Sequence, residues 1–575
     1  MVGSNKLRWQ VAQSDPAQVG ELARALSLTL PATRVLWSRG YRDTDAARRF
    51  LNPSIADLHD PLLMKDMSVA VERLSRAIAA KESILLYGDY DVDGTTSVVL
   101  LKTSLALLGG KADFHVPHRL RDGYGMRNEV VEEAAASGVS LIVSVDTGIR
   151  ANEVVRHASA LGIDVIVTDH HLPEEELPAA LAVLNPNRAD CAYPEKNLCG
   201  AGVALKLVQA LLVRSGWDTG RTERLLDSFL KMTAIATVAD VVPLTGENRV
   251  IVKRGLEGLG KVSNPGLRAL LEVSGVKEGQ IPSARDVAFR IGPRINAAGR
   301  MASASDVIEM FLTSDVARAK ELASKLHDLN ADRQQTEAEM VRTIFDLCVE
   351  QPVTDRDAAL VFAGEGWHRG VVGIVASRVV ERYHRPVFVM GIENGVVQGS
   401  GRSIAVFHLL EALESMPDLF TKFGGHKQAA GLTLPADRLE EFRERLRVYA
   451  ALRLTPRDFE RELAIDSTIQ FDEMSDKAVA DVLALAPFGQ GNPAPVFAAM
   501  GVEVAAPPDI KNEKHLFLRL RAQGKLMRMK AWNFADRVSV FAPGAKVDIA
   551  FTFEEDTYSA ERGYAPWQAI VKDVR

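Results

Sequence analysis

Cysteine is scarce in this chain: Cys191, Cys199 and Cys348 are the only three among 575 residues. An odd, widely spaced set with no C-x-x-C pair argues against a disulfide framework and a structural zinc cluster, and it suits a reducing cytosol. No uninterrupted apolar stretch is long enough to span a bilayer. Met1 to Gln10 is polar and lacks the apolar centre of a secretory signal. A basic surplus is missing as well. The 69 Lys and Arg stand against 75 Asp and Glu, for a net charge of −6, so any nucleic-acid contact must come from local basic patches. Low complexity and short-period repeats are absent. What remains is 47% hydrophobic and 25% charged, ordinary for a globular protein, and the length predicts three to four domains.

Four acidic positions stand out. The apolar run Ile84-Leu85-Leu86-Tyr87 leads into Gly88-Asp89-Tyr90-Asp91-Val92-Asp93-Gly94, and Leu141-Ile142-Val143-Ser144-Val145 leads into Asp146-Thr147-Gly148. Val165-Ile166-Val167-Thr168 ends in Asp169-His170-His171, and Thr233 to Ala239, an Ala-rich and helix-compatible run, ends in Asp240. Short β-branched runs bounded by Gly and Asp read as buried parallel strands. Ligands of open α/β sheets bind at the carboxyl ends of the strands, so the acids and histidines are expected to converge on one edge. An Asp-rich turn or a lone Asp at a strand end needs no function. Crowded carboxylates, however, repel unless cations neutralise them, and carboxylate with imidazole suits Mn²⁺, Mg²⁺ or Zn²⁺. A binuclear site of this kind points to phosphoester or phosphoanhydride hydrolysis. Of the two adjacent histidines, one would coordinate and the other could donate to a phosphoryl oxygen. His59, His157, His327 and His384 are isolated and read as structural or exposed.

The chain reads as a multi-domain α/β protein. Residues 1–67 form an N-terminal segment with short helical patterns such as Thr44 to Leu51. From 68 to 314, strand-like and helix-like segments alternate, as in a doubly wound parallel sheet. Asp315 to Glu350 contains no Gly or Pro and predicts one long connector helix, capped by Ser314 or Asp315. A smaller α/β domain follows over 351–457. Beyond 458 short strands recur, and the alternation of Leu516, Leu518 and Leu520 points to an OB-fold-like β-barrel.

The motifs Gly88–Gly94, Ser144–Gly148, Thr168–His171 and Ala239-Asp240-Val241-Val242-Pro243-Leu244 resemble, in order, the four motifs of the DHH phosphoesterase superfamily. Gly399-Ser400-Gly401-Arg402-Ser403 and Gly424-Gly425-His426-Lys427-Gln428-Ala429-Ala430-Gly431 are similar to the DHH-associated domain. Gly366 to Gly373 and Arg294 to Arg300 resemble the RecJ branch in particular. The resemblance covers essentially the whole chain. It implies a two-metal, Mn²⁺- or Mg²⁺-dependent exonuclease that removes nucleotides from the 5′ end of single-stranded DNA, in recombination and repair. It further implies that Asp91, Asp93, Asp146, His170 and Asp240 are metal ligands. His171 would contact the scissile phosphate, with Asp169 and Asp89 completing the catalytic group and Asp89 a ligand or a support for one. Substrate contacts would include Arg294, Asn296, Arg300, His368 and Arg369, and, in the smaller domain, Arg402, Ser403, Gly424, Gly425 and His426. A single-strand-binding protein and a helicase are the implied partners, and the bacterial cytoplasm, with the nucleoid, the implied location.

The phosphate-facing residues also have a reading of their own. Arg402 and Ser403 lie among small residues that permit close backbone approach. Gly424-Gly425-His426 could form an anion nest. Arg294 and Arg300 flank a Gly-containing turn that could clamp a phosphate backbone. In the barrel, Arg519, Arg521, Lys525, Arg528 and Lys530 beside Phe517, Trp532 and Phe534 suit single-strand binding as well as they suit a charged, self-protecting strand edge. Two alternatives are weighed: a DHH oligonucleotidase or small-substrate phosphodiesterase, and an inactive DHH scaffold that binds DNA. The barrel argues against the first, and the intact motif acids and histidines argue against the second.

Overall fold

The computed structural model describes residues 7–119 and 121–575, with side chains for all of these except 557 and 558. Met1 to Lys6 of the polar N-terminus lie outside the described residues. Five parallel strands make the central sheet: β1 (Ser83–Tyr87), β2 (Lys111–His115), β3 (Val139–Val145), β4 (Asp164–Thr168) and β5 (Ala182–Leu184). Their spatial order is β2-β1-β3-β4-β5, so the connections reverse direction between β1 and β3. That switch point opens a crevice at the carboxyl edge. The strands are near-continuous Ile, Leu and Val because helices cover both faces.

The expected alternation up to residue 314 stops after β5. From Gly200 to Leu312 the chain is helical, including α2 (Gly200–Arg214) and α3 (Thr219–Ala239). The run before Asp240 is therefore the end of a helix and not a strand: its Ala, Thr and Met side chains pack all round against the neighbouring helices. The Gly-containing segment Arg294–Arg300 is not a turn either. It belongs to α4 (Gly292–Met301), which continues from a π-helical turn at Val287–Ile291. Gly299 lies within α4, where the other side chains and the hydrogen-bond ladder hold the helix.

The connector is α5 (Val316–Glu350), 35 residues long, with the Asp315 side chain accepting the N–H of Ala317 and of Arg318. It reaches a five-stranded mixed sheet whose outer hairpin is Lys422–Gly425 and Ala429–Pro435. The C-terminal region is a closed barrel. Phe497–Val504, Lys546–Glu555, Trp567–Val574, Lys525–Ala531 and His515–Ala522 pair in turn, and Val504 opposite Leu520 completes the circuit. Among the described residues no helix is long and apolar enough to cross a membrane.

The N-terminal segment shares the barrel's core. Ala32, Val35, Leu36 and Phe50 are buried with Phe471, Phe497, Phe551 and Leu518, and Arg8–Val11 pairs in parallel with Glu462–Ile465. The two ends of the chain thus form one packed unit beside the parallel sheet. Leu36→Ala, which empties a fully buried site, is expected to cost about 2–5 kcal/mol in the urea-unfolding transition that reports the barrel. A change below about 1 kcal/mol would show that this segment does not support the barrel.

Candidate metal centre

The acids reach one point by four local devices. After β1 the chain turns through Gly88–Tyr90 and enters helix α1 (Val92–Leu107), with Asp91 as its N-cap. The Asp91 Oδ1 accepts from the backbone N–H of Asp93 at 2.9 Å and of Gly94 at 3.0 Å. Asp93 lies in the first helical turn, so the Asp-rich segment is half loop and half helix. A Cβ on Gly94 would stand 2.6 Å from the Asp89 backbone, so only glycine lets the loop fold back on the helix. After β3, Asp146 adopts φ 58°, a left-handed conformation costly for a non-glycine residue and found where surrounding structure over-determines it. Asp169, His170 and His171 follow β4, and Asp240 ends α3.

Helix α2 completes the floor. Its first N–H groups, from Gly200 and Ala201, donate to the two Asp93 oxygens at 2.5 and 2.7 Å. A Cβ on Gly200 would lie 2.7 Å from that of Asp146. The N-termini of α1 and α2 thus bring partial positive charge to the acids.

At the centre is His170. Its Nε2 lies 3.2 Å from Asp146, 3.7 Å from Asp93 and 3.7 Å from Asp240. Three ligand groups overlap: Asp89, Asp91 and Asp146; Asp93, His170 and Asp240; and Asp146, His170 and His171. Asp89 Oδ1, Asp146 Oδ1 and Asp240 Oδ2 are buried and accept no hydrogen bond among the described residues. Buried carboxylate oxygens without a donor are costly, and a divalent cation would satisfy them. The donor set, carboxylates with the imidazole of His170, therefore fits two hard, oxygen-preferring ions.

Electrostatics agree. Burial, reinforced by the charges of its acidic neighbours, holds Asp146 well above the usual carboxylate range, and burial with the charge of Asp91 does the same to Asp89. Asp93 is raised by burial as well, and Asp240 is pushed up to about 9 by burial and by Asp93 and Asp91. Burial lowers His170. His171 differs: burial lowers it, but the Asp169 hydrogen bond and charge outweigh burial and raise it. Asp169 Oδ1 meets His171 Nδ1 at 2.7 Å and accepts from the backbone of His170 and His171, while Oδ2 accepts from Ile149. Asp169, with both oxygens committed, orients His171 through its Nδ1.

Comparison with known proteins places this geometry. The DHH family, N-terminal domain, matches residues 83–237, the DHHA1 domain 356–451 and the RecJ OB domain 465–573. The single-stranded-DNA-specific exonuclease RecJ of Dickeya dadantii is 42% identical over 487 residues, 82% of this chain and 83% of that protein. That of Bacillus subtilis is 37% identical over 554 residues, 95% of this chain and 68% of that one. A crystal structure of RecJ from Thermus thermophilus in complex with Mn²⁺ matches with a TM-score of 0.84 at 33% identity, over 100% of this chain and 80% of that chain. The chain belongs to the RecJ family.

Around the acids, the RecJ-family chain arranges its other candidate residues unevenly. Arg300 and Arg402 lie together with Arg119, a residue of the loop after β2 that sequence reasoning missed. Arg300 is pushed down to about 9 by burial and by the charges of Arg119, Arg333 and Arg402. Burial and Arg119 also lower Arg402. None of Arg119, Arg300 and Arg402 forms an ion pair among the described residues, although Arg300 donates to the Gly370 carbonyl across the domain boundary and Arg402 donates to Ser400 Oγ. His426, on the tip of the hairpin, is lowered by burial and by Arg150 and His171, so it faces the DHH segment across the cleft. Its N–H already donates to the Ala429 carbonyl, and Gly424 and Gly425 are paired in a strand, so the expected nest is a β-hairpin tip.

Other candidates have protein partners. Asn296 Oδ1 accepts the Val92 N–H at 3.2 Å, pinning the start of α1. Arg294 donates to His327 on α5. His368 Nδ1 accepts from Gly370, Arg369 pairs with Glu393, and Ser403 Oγ donates to the Phe407 carbonyl. In the barrel, Arg519 pairs with Asp509 and Arg521 with Glu503. Arg528 and Trp532 are exposed, with Trp532 edge-on to His515 and Phe517. Asn185 and Asn187, also missed, donate to the carbonyls of His171 and His170. All three missed residues follow a strand at the carboxyl edge, the signal that could have found them.

The raised carboxyls determine a pH response. Their folded values lie above the unfolded value of about 4, so the metal-free fold holds extra protons above that value, up to about 9 for Asp240, and loses stability as pH rises through that window. Metal must displace those protons. The melting temperature in EDTA is therefore expected to fall between about pH 7 and 9, and the gain produced by Mn²⁺ to grow over the same interval. A Mn²⁺ gain independent of pH would contradict the ionic state of the pocket.

Proposed function

We propose that this centre hydrolyses the terminal phosphodiester bond at the 5′ end of single-stranded DNA and releases nucleotides stepwise. The chain is a metal-dependent single-stranded-DNA exonuclease of the RecJ family, acting with Mn²⁺ or Mg²⁺, and a role in recombination and repair is consistent with that family. The polarity and the individual residue roles are the added reading. The observation that carries it is the adjacency of carboxylate oxygens to three half-buried arginines, the oxygens without hydrogen-bond donors and the arginines without ion-pair partners among the described residues.

Asp89, Asp91 and Asp146 would hold one ion, and Asp93, His170 and Asp240 the other, with Asp146 able to reach both. Two such ions, when bound, activate a water and stabilise the leaving oxygen of an in-line displacement. The chain's own groups do the rest. Asp169 keeps a proton on His171 Nδ1 and favours the imidazolium, whose outer nitrogen can donate to a phosphoryl oxygen. Arg119, Arg300 and Arg402 offer forked donors in a half-buried setting, suited to a terminal phosphate. The strand would lie in the cleft between the two α/β domains, which the Arg300–Gly370 contact pins at one side. Beyond it Arg528 and Trp532 offer a cation and a stacking face for further nucleotides. In this reading a helicase and a single-strand-binding protein supply the strand, in the bacterial cytoplasm at the nucleoid.

End-labelled single strands test the reaction. Mononucleotides are expected from the 5′ end with Mn²⁺, none with EDTA, and none from folded Asp93→Ala; release from the 3′ end would reject the polarity. Arg402→Ala, which removes a half-buried guanidinium, is expected to weaken binding of 5′-phosphorylated strands by roughly 2–5 kcal/mol and to abolish their advantage over 5′-hydroxyl strands. An unchanged preference would remove Arg402 from the terminal-phosphate site.

A further inference from the structure

We propose that the barrel-domain loop Leu485–Asn492 is a positioning element for the metal centre, acting on Asp240 through the four residues that follow it. The inference rests on Asp240 being a metal ligand, as read above.

Asp240 stands at the C-terminal end of a helix, whereas Asp89, Asp91, Asp93 and Asp146 lie in segments that follow strands of the central sheet. It ends α3, and the chain leaves the helix through Val241, whose φ is 60° and which is 66% exposed. A β-branched residue in that conformation is strained and persists only where contacts on both sides hold it. On one side is the helix. On the other is Leu244, buried at 2% exposure, whose backbone N–H donates to the Gln490 carbonyl at 2.7 Å. That carbonyl comes from the barrel domain, far along the chain. The packing is equally close. A Cβ on Gly489 would meet Leu244 Cδ1 at 2.7 Å, and one on Gly491 would meet Pro243 Cβ at 2.9 Å, where Gly491 has φ 71°. The segment Phe488-Gly489-Gln490-Gly491-Asn492 thus carries glycine on both sides of the residue whose carbonyl touches the motif loop.

The loop is itself anchored from three directions. Asn492, fully buried, donates from Nδ2 to the carbonyls of Leu485 at 3.0 Å and Pro487 at 2.8 Å, and Gly489 and Asn492 exchange backbone hydrogen bonds. Its Oδ1 accepts from Arg39 of the N-terminal segment. Arg249 of the catalytic domain, buried with its guanidinium 3.5 Å from the centre of the Phe50 ring, donates to the carbonyls of Leu485 and Ala486. Each bond is made by a buried or half-buried group, so loosening one leaves a polar atom unpaired. A rigid bracket therefore runs from both ends of the chain to the ligand loop. Groups one step behind a metal ligand set its orientation and the site's affinity. The barrel then has two separable effects: its outer face meets the strand, while this loop sets the position of a metal ligand.

The test uses the full chain with Gly491→Ala, which presses on Pro243, and Gly489→Ala, which presses on the side chain of Leu244 at Cδ1 and Cγ without a positive φ. Val571→Ala, a barrel-core change remote in sequence from the loop, is the stability control. Mn²⁺ binding is measured by calorimetry, alongside hydrolysis of a trinucleotide and of a long strand. The expected result is a roughly tenfold weaker affinity for one of two Mn²⁺ ions in the loop variants. Their trinucleotide activity should recover at high Mn²⁺, and KM for the long strand should stay unchanged. Val571→Ala should lower the melting temperature and keep wild-type Mn²⁺ affinity. Wild-type Mn²⁺ affinity in both loop variants, or an equal loss in Val571→Ala, would overturn the proposal. Asp240→Ala is run beside them: if it still binds two Mn²⁺ with wild-type affinity, the ligand assignment fails, whereas loss there with intact loop variants removes the bracket alone.

Discussion

Asp89, Asp91, Asp93, Asp146 and Asp240 cluster in one buried to half-buried site, and their mutual repulsion is the constraint around which the rest is arranged. Neighbouring elements lower its cost: the N-termini of α1 and α2 and the imidazole of His170 at 3.2 to 3.7 Å from three of the acids; the oxygens left without donors among the described residues keep the rest of that cost for cations to relieve. Local strain at Asp146 and Val241 is tolerated because the sheet edge on one side and the barrel loop on the other hold those residues. A pocket so charged is unstable alone and well suited to divalent ions.

A second charge cluster balances the first. Arg119, Arg300 and Arg402 come from the sheet edge, from a helix and from the smaller domain; burial with the charges of Arg119, Arg333 and Arg402 lowers Arg300, and burial with Arg119 lowers Arg402. In the proposed reading, a phosphate group lies between the negative and positive clusters. The connector helix α5 sets the distance between the two domains. Arg333 and Glu337 on it, with Arg378 of the smaller domain, form a buried-edge ion network that fixes their relative placement.

Much of this is legible in the chain. The strands ending at Tyr87, Val145 and Thr168 are visible because parallel strands buried on both faces must be apolar throughout, and the helix 316–350 because it lacks any breaker. Less legible are elements whose character comes from their surroundings. The start of α1 at Val92, capped by Asp91, is one of these, since an Asp before a helix and an Asp in a turn look alike in sequence. The helices between 200 and 312 read as part of an alternating sheet because helices buried on all sides lose their amphipathic period. The N-terminal helices reveal their place only through Leu36 and Phe50, which are ordinary apolar residues until the barrel is built around them.

The sequence by itself determined the chemical identity of the site: which carboxylates and histidines are available, the strands that end in them, and the metals that such donors prefer. Those features depend on residue type and short-range periodicity. Tertiary structure alone decided how they are used. Asp169 became an orienting group because its oxygens meet His171 and Ile149, and Arg519 and Arg521 became ion-paired because Asp509 and Glu503 lie beside them. Arg119 joined Arg300 and Arg402 because three separate elements meet at one edge, and Asp240 came to depend on Gln490, which lies in another domain. Such contacts are long-range, and their energies depend on burial and distance, which no local pattern of residues encodes.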